Sequence, residues 1–195
     1  MRFAVVTLAL VLAASGALPS HSLAASLEKG TLEVEGSVSF DHTSYSVSSQ
    51  SQGTATDFAA TLGGGYCLTR LIEVGGGLTM THDAIEPEGG ESISYSSYGG
   101  SVDVTLNFST PNNLVPFVRV GAGFQSFSGD GSEDAKMALI APYVRAGVRV
   151  LVGNSGSVNL SAAFRHEINS GGVEDLNANG LSFAVGVSLF PIRGK

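Results

Sequence analysis

The chain has 195 residues, of which 43% are hydrophobic and only 14% are charged, and its formal net charge is −7 at pH 7. This length corresponds to about one domain, and the acidic balance argues against a nucleic-acid-binding protein, which needs a basic face. A single cysteine excludes a disulfide framework and a thiolate zinc site. Soluble domains carry about 25% charged residues, so the sequence is unusually apolar for one.

The first 24 residues have the order of a secretory signal peptide. Met1-Arg2 gives a positive start, Phe3 to Leu18 is largely apolar, and the small residues of Ser22-Leu23-Ala24 follow. We expect cleavage after Ala24, which leaves residues 25–195 as the mature domain. An uncleaved membrane anchor is the alternative, but the apolar stretch is short for a membrane span.

The rest of the chain alternates apolar and polar residues with a period of two, which is typical of β-strands. In the last such segment, Leu181, Phe183 and Val185 alternate with Ser182, Ala184 and glycine. The alternating segments, of about eleven residues each, are 31–42, 56–68, 72–82, 97–108, 115–125, 142–152, 157–167 and 180–190. The pattern predicts an all-β fold with eight strands.

The connections between these segments alternate between short and long. The short ones are 69–71, 109–114 and 153–156, and the long, polar ones are 43–55, 83–96, 126–141 and 168–179. Short periplasmic turns and long extracellular loops are typical of outer-membrane barrels. The sequence therefore predicts an eight-stranded antiparallel up-and-down transmembrane β-barrel over residues 25–195.

Charged residues are sorted by strand face. All four arginines of the predicted strands lie on the polar face, and an arginine facing lipid at the bilayer midplane would cost about 2–4 kcal/mol. We therefore expect the apolar face to meet lipid and the polar face to fill the narrow lumen of an eight-stranded barrel. A soluble lipocalin-like barrel or sandwich, with the faces reversed, is the alternative. The predicted lumen charge network comprises Glu33, Glu35, Asp57, Glu73, Asp103, Arg119, Arg145, Arg149 and Arg165, with Asp103 and Arg119 as neighbours.

Two alternating segments, Val115 to Phe124 and Leu181 to Phe190, resemble those of the OmpA/OmpX-like family of small, porin-like outer-membrane barrels. Val115 to Phe124 resembles a strand motif of that family, and Leu181 to Phe190 resembles its terminal assembly signal, although Pro191 to Lys195 follow here. The resemblance implies a Gram-negative outer-membrane protein, surrounded by membrane lipid and lipopolysaccharide and inserted by the barrel-assembly machinery.

The sequence contains no nucleophile elbow, P-loop, HExxH or paired CxxC motif, so we expect no catalytic site, metal or cofactor. His42, His82 and His166 each end a predicted upward strand at the outer rim. They either contact lipopolysaccharide phosphates or a metal, or simply mark where the lipid stops. Some small barrels are lipid A deacylases with a serine two residues after such a histidine. Here Ile168 takes that place and Ser170 is displaced, so a lipid A-modifying enzyme is a remote alternative.

Two classes of function remain. The first is a non-enzymatic, monomeric barrel with a structural role or with loops that contact surfaces or host ligands. The second is a small-solute porin, although charges that pair across the lumen would allow only a small, ion-pair-gated conductance. The long loops combine a serine-rich segment, Thr43 to Gly53, with acidic residues that are either solvated or bridged by divalent cations. Those acidic residues are Asp83, Glu86, Glu88, Glu91, Asp130, Glu133, Asp134, Glu174 and Asp175.

Overall fold

Eight antiparallel strands form a closed barrel in the computed structural model, and each strand pairs with its neighbours in sequence. The strands are β1 (Leu32–Val47), β2 (Gln50–Cys67), β3 (Ile72–Ile85), β4 (Ile93–Asn107), β5 (Leu114–Ser128), β6 (Ala138–Val152), β7 (Gly156–Asn169) and β8 (Leu176–Ile192). The predicted fold class is confirmed.

The structure describes residues 27–47, 50–85, 93–110, 113–128, 138–153, 155–169 and 176–192. The predicted signal peptide, residues 1–24, lies outside these ranges. Within them, no helix has the length and apolar character needed to cross a membrane.

The strands are longer than the sequence predicts. They contain 14 to 18 residues instead of about eleven, and β1 and β2 stay paired up to Val47 and Gln50. The predicted loop 43–55 is therefore wrong, and strands also enter the other three predicted long loops from both sides. A membrane-spanning strand needs only about 9–11 residues. Beyond the lipid both strand faces are polar, so the alternation stops although the backbone pairing continues.

Apolar side chains face outward in a band bounded by aromatic rings. At the end of the barrel that carries the β1–β2, β3–β4, β5–β6 and β7–β8 connections, five aromatic side chains are 53–61% exposed. They are Phe40, Phe58, Tyr98, Phe124 and Phe164. At the end with the short turns, Tyr66 and Phe108 are also exposed. Phe58 and Tyr66 are eight residues apart on β2, or about 26 Å along the strand. With the usual strand tilt this gives an apolar band roughly 20 Å tall, close to that of outer-membrane barrels.

Prolines interrupt the ladder at two places. Pro142 lies inside β6, not at the start of a strand as the sequence suggests, and the β6–β7 pairing skips Ala141 and Pro142. At the end of β8 the register with β1 shifts beside Pro191, so that Phe190 is buried while Ile192 is exposed. Proline has no N–H to donate, and beside Pro191 a bulge accommodates it, whereas beyond Pro142 the β6–β7 pairing resumes in the same register.

Candidate functional site: the charged lumen and the outer rim

The inward side chains form three charged layers, named from the short-turn end. The lower layer is Glu33, Glu73, Asn107 and Arg149. The middle layer is Glu35, Asp103, Arg119, Tyr143 and Arg145. The upper layer is Asp41, Thr43, Asp57, Arg165 and Glu167. Alternation along the strands brings these side chains inside the barrel, because residues of one parity share one face.

The lower layer is centred on Arg149, whose side chain is fully buried. Its Nη2 donates to Oε2 of Glu33 at 2.9 Å, and its Nη1 donates to Oε2 of Glu73 at 2.9 Å and to Oδ1 of Asn107 at 2.8 Å. Asn107 also donates to Glu73 at 2.9 Å. These charge-assisted hydrogen bonds join four strands across the lumen.

An apolar plug lies at the same end of the barrel. It consists of Leu27, Cys67, Val115, Leu151 and Phe190, each at most 4% exposed. Leu27 is held there because the following turn is fixed by the N–H of Gly30, which donates to the carbonyl of Cys67 at 2.8 Å. Gly30 has φ 86°, a conformation that favours glycine. The single cysteine of the chain is thus a buried packing residue.

The middle layer contains the predicted Asp103–Arg119 neighbours. Nε of Arg119 lies 3.5 Å from Oδ1 of Asp103, and Nη2 donates to Oε2 of Glu35 at 3.1 Å. The hydroxyl of Tyr143 donates to Oδ2 of Asp103 at 3.0 Å. Arg119 is therefore compensated by two carboxylates, and Tyr143 orients one of them.

Arg145 differs from the other lumen arginines. Across the described ranges, no carboxylate lies within 4 Å of its guanidinium, whereas the other three each contact at least two. Its Nε, like that of Arg149, is buried without a hydrogen-bond partner. Its guanidinium carbon lies 5.8 Å from the centre of the Tyr143 ring, a cation–π contact. The structure therefore places Arg145 in the lumen but not in an ion pair.

The upper layer groups three carboxylates around Arg165. Its Nε lies 2.9 Å from Oε1 of Glu167, its Nη2 lies 3.4 Å from Oδ2 of Asp57, and its Nη1 lies 3.8 Å from Oδ1 of Asp41. The predicted network omitted Asp41 and Glu167. Both have the same strand parity as the other lumen charges, so alternation alone could have identified them.

A polar cavity of about 140 Å³ lies in the lumen above the lower layer. Its wall includes inward glycines of β2 to β5, namely Gly63, Gly77, Gly99 and Gly123. Arg119, Arg145 and Tyr143 also line it. Because glycine has no side chain, these positions leave space that larger residues would fill.

The three rim histidines do not form a joint site. His42 on β1 is separated from His82 on β3 by β2, and from His166 on β7 by β8. Strands two positions apart in a sheet are about 10 Å apart. The histidines lie three to five residues before their strands end, not at the ends as the sequence predicts. His166 Nδ1 is 3.0 Å from Asn179 Oδ1, and His82 Nδ1 is 3.4 Å from Ser96 Oγ. In the described part of the chain, no group of histidine, cysteine and acidic residues is arranged to hold a metal.

Several residues singled out in the sequence lie outside the described ranges. They are Ser170 and the acidic loop residues Glu86, Glu88, Glu91, Asp130, Glu133, Asp134, Glu174 and Asp175.

Solved structures with a similar fold are small membrane barrels. The outer membrane protein OprG from Pseudomonas aeruginosa is 11% identical, with 84% of this chain and 97% of that chain covered and a TM-score of 0.57. Neisserial surface protein A is 18% identical, with 82% and 96% covered and a TM-score of 0.56. The outer membrane enzyme PagL is 19% identical, with 82% and 99% covered and a TM-score of 0.49.

The family assignment comes from the sequence itself. No curated relative matches the chain at a significant level. The model of the outer membrane protein beta-barrel domain matches residues 10–188, which is most of the chain. The chain therefore belongs to the outer membrane protein β-barrel family and resides in the bacterial outer membrane.

Proposed function

We propose that this protein is a non-enzymatic, monomeric outer-membrane barrel that is closed to solute flow and acts through its extracellular part on surfaces or partners. The closed lower end of the lumen carries the proposal. Arg149 is fully buried between Glu33 and Glu73, and the apolar plug lies at the same end. A solute would have to displace both obstacles to cross the barrel.

Opening this end would be costly. Breaking a buried ion pair leaves charges without compensation in a medium of low dielectric constant, and Arg149 makes three charge-assisted or polar hydrogen bonds. The apolar plug adds packed side chains that would have to be exposed to water. Thermal motion alone is not expected to hold such a path open.

The opposite end suits contact with a polar surface. β1 and β2 continue past the aromatic ring of Phe40, and the exposed Ser44, Thr54 and Thr56 belong to this extension. It is rich in hydroxyl groups that can form hydrogen bonds with sugars or proteins. We expect partners to be recognised there, with membrane lipid and lipopolysaccharide around the barrel below.

A small-solute channel is the second candidate. The polar cavity of about 140 Å³ favours it, because it supplies a water-sized space within the lumen. The lower layer and the apolar plug argue against a continuous path. The two candidates therefore differ in one measurable property, the permeation of small solutes.

Swelling of proteoliposomes in iso-osmotic solutions of small sugars tests this distinction. We expect swelling no faster than in protein-free vesicles, because the lower layer blocks the lumen. Vesicles that contain a large open porin are the positive control. Swelling that slows with increasing sugar size would contradict the closed barrel and favour the channel.

The rim histidines are proposed to mark the boundary of the lipid. His42 and His166 each follow an exposed phenylalanine, Phe40 or Phe164, by two residues on the same outward face. Replacing His42, His82 and His166 together by glutamine is expected to leave the lipopolysaccharide retained on purification unchanged. Loss of that lipopolysaccharide would show instead that the histidines bind its phosphates.

A further inference from the structure

Two arginines face each other directly in the middle layer. Arg119 on β5 and Arg145 on β6 are cross-strand partners, and both line the lumen cavity. Like charges directly opposite each other destabilise a sheet. The pair therefore needs negative charge close to each guanidinium.

Among the described residues, only Arg119 is in direct contact with carboxylates of the layer, whereas Glu35 acts on Arg145 at longer range. Both carboxylates of the middle layer, Glu35 and Asp103, lie within 3.5 Å of Arg119. The described residues place no carboxylate within 4 Å of Arg145, and its Nε is buried without a hydrogen-bond partner. The Nε of Arg149 is buried without a partner as well, but Arg149 contacts two carboxylates, whereas Arg145 contacts none among the described residues. Within that part of the chain, Arg145 is therefore the lumen arginine that lacks a contacting anionic acceptor.

The space beside Arg145 can hold such an acceptor. The cavity it lines has a volume of about 140 Å³, and the hydroxyl-bearing residues Ser37 and Ser101 line it too. This is room for a molecule of a few heavy atoms, since one water occupies about 30 Å³ in the liquid. The lower layer closes one end of the lumen, so a ligand would enter past the upper layer.

We propose that Arg145 and this cavity form a binding site for a small monovalent oxyanion of the carboxylate type. The two Nη–H groups of a guanidinium form a planar fork that matches two oxygen atoms. Arg145 lines the cavity and has no carboxylate within 4 Å among the described residues, so its fork can take a ligand. Five carboxylates line the same cavity, and their charges disfavour a divalent anion. They are Glu33, Glu35, Asp41, Glu73 and Asp103.

The test uses the protein expressed from its full sequence, extracted from outer membranes into detergent micelles and labelled with ¹⁵N-arginine. Sodium acetate is added at an ionic strength held constant with a sulfonate salt too large for the cavity. The Nε–H resonance of Arg145, identified by its loss in Arg145→Gln, is expected to shift with a half-saturation of roughly 1–10 mM. Sulfate is expected to bind at least about tenfold more weakly because it is divalent.

Three variants locate the site, each checked for folding by the migration of unboiled samples on a gel. Arg145→Gln is expected to abolish the acetate response of the Arg119 Nε–H resonance. Gly123→Leu is expected to abolish the acetate response of the Arg145 resonance, because the leucine side chain would occupy the cavity. Arg70→Gln, at an exposed arginine paired with Glu28, is the control and should bind acetate like the unaltered protein.

Two results would overturn the proposal. One is the lack of any saturable shift of the Arg145 resonance in the unaltered protein. The other is an acetate response of Arg119 that persists in Arg145→Gln, since binding would then not depend on Arg145.

Discussion

At the scale of single residues, the lumen is built around guanidinium groups that bind more than one acid. Arg149 and Arg119 each bridge two carboxylates and Arg165 contacts three, whereas Arg145 contacts none among the described residues. Arginine suits this role because its planar group has five donors and keeps its charge when buried. Removing one such arginine therefore leaves several buried carboxylates without a partner.

The first prediction concerns Arg149. Arg149→Ala is expected to lower the free energy of unfolding by about 3–5 kcal/mol, because Glu33 and Glu73 become uncompensated buried charges. Arg70→Ala removes an exposed ion pair and is expected to cost less than about 1 kcal/mol. Urea titration in micelles, with the folded fraction read from a gel, measures both. Equal effects of the two substitutions would contradict the role of Arg149.

The two acids of the lower layer are not equivalent. Oε2 of Glu73 accepts hydrogen bonds from both Arg149 and Asn107, whereas Oε2 of Glu33 accepts one from Arg149. Glu73→Gln is therefore expected to destabilise the barrel by about 1–2 kcal/mol more than Glu33→Gln. The same urea titration compares the two variants, and a larger loss for Glu33→Gln would refute this order.

Strand parity sorts the charges by strand face, but it could not predict their partners. Arg149 and Glu33 are 116 residues apart in the sequence, and their contact depends on the stagger of the strands around the closed barrel. Sequence alternation does not report that stagger. For the same reason the sequence could not show that Arg145 lies opposite Arg119 and makes no ion pair with the described acids of the layer.

At the scale of strands, the sequence reports the lipid-facing part and little beyond it. Alternation predicted all eight strands because lipid on one side and a polar lumen on the other force it. It missed the extensions of β1 and β2, where Ser44 pairs with Thr54 outside the apolar band. There both faces tolerate polar residues, so backbone pairing leaves no periodic signal.

Inward glycines make room for the long lumen side chains of neighbouring strands. A Cβ added to Gly65 would lie 2.9 Å from Cδ of Glu73, which Arg149 and Asn107 hold in place. Gly65→Ala is therefore expected to lower the urea midpoint of unfolding by displacing that carboxylate. Gly123→Ala is the matched control, because its nearest neighbour would be 3.6 Å away. Equal midpoints for the two variants would show that Gly65 is not required for this packing.

At the scale of the whole molecule, the low charge of the sequence reflects its surroundings. Apolar residues cover the outside, as with Leu78 at 72% and Val102 at 69% exposure, and most of the described charges lie inside the barrel. This arrangement would be unstable in water but is favourable in a bilayer, where apolar side chains meet lipid. The bilayer, not surface charge, accommodates the exposed apolar side chains.

The position of the lipid along the barrel gives a depth-dependent prediction. Leu78 and His82 both face outward on β3, four residues apart. Leu78→Arg is expected to cost about 2–4 kcal/mol, because it places a charge near the middle of the bilayer, whereas His82→Arg lies near the interface and costs about 0–1 kcal/mol. Urea unfolding in lipid vesicles measures both, and similar costs would place the lipid boundary elsewhere.

The closed lumen is tested most directly by single-channel recording of the intact protein in planar lipid bilayers. With Arg149 fully buried in the lower layer and the apolar plug at the same end, we expect no steady current, and at most brief, small openings. A large and steady conductance would contradict a lumen closed at this end.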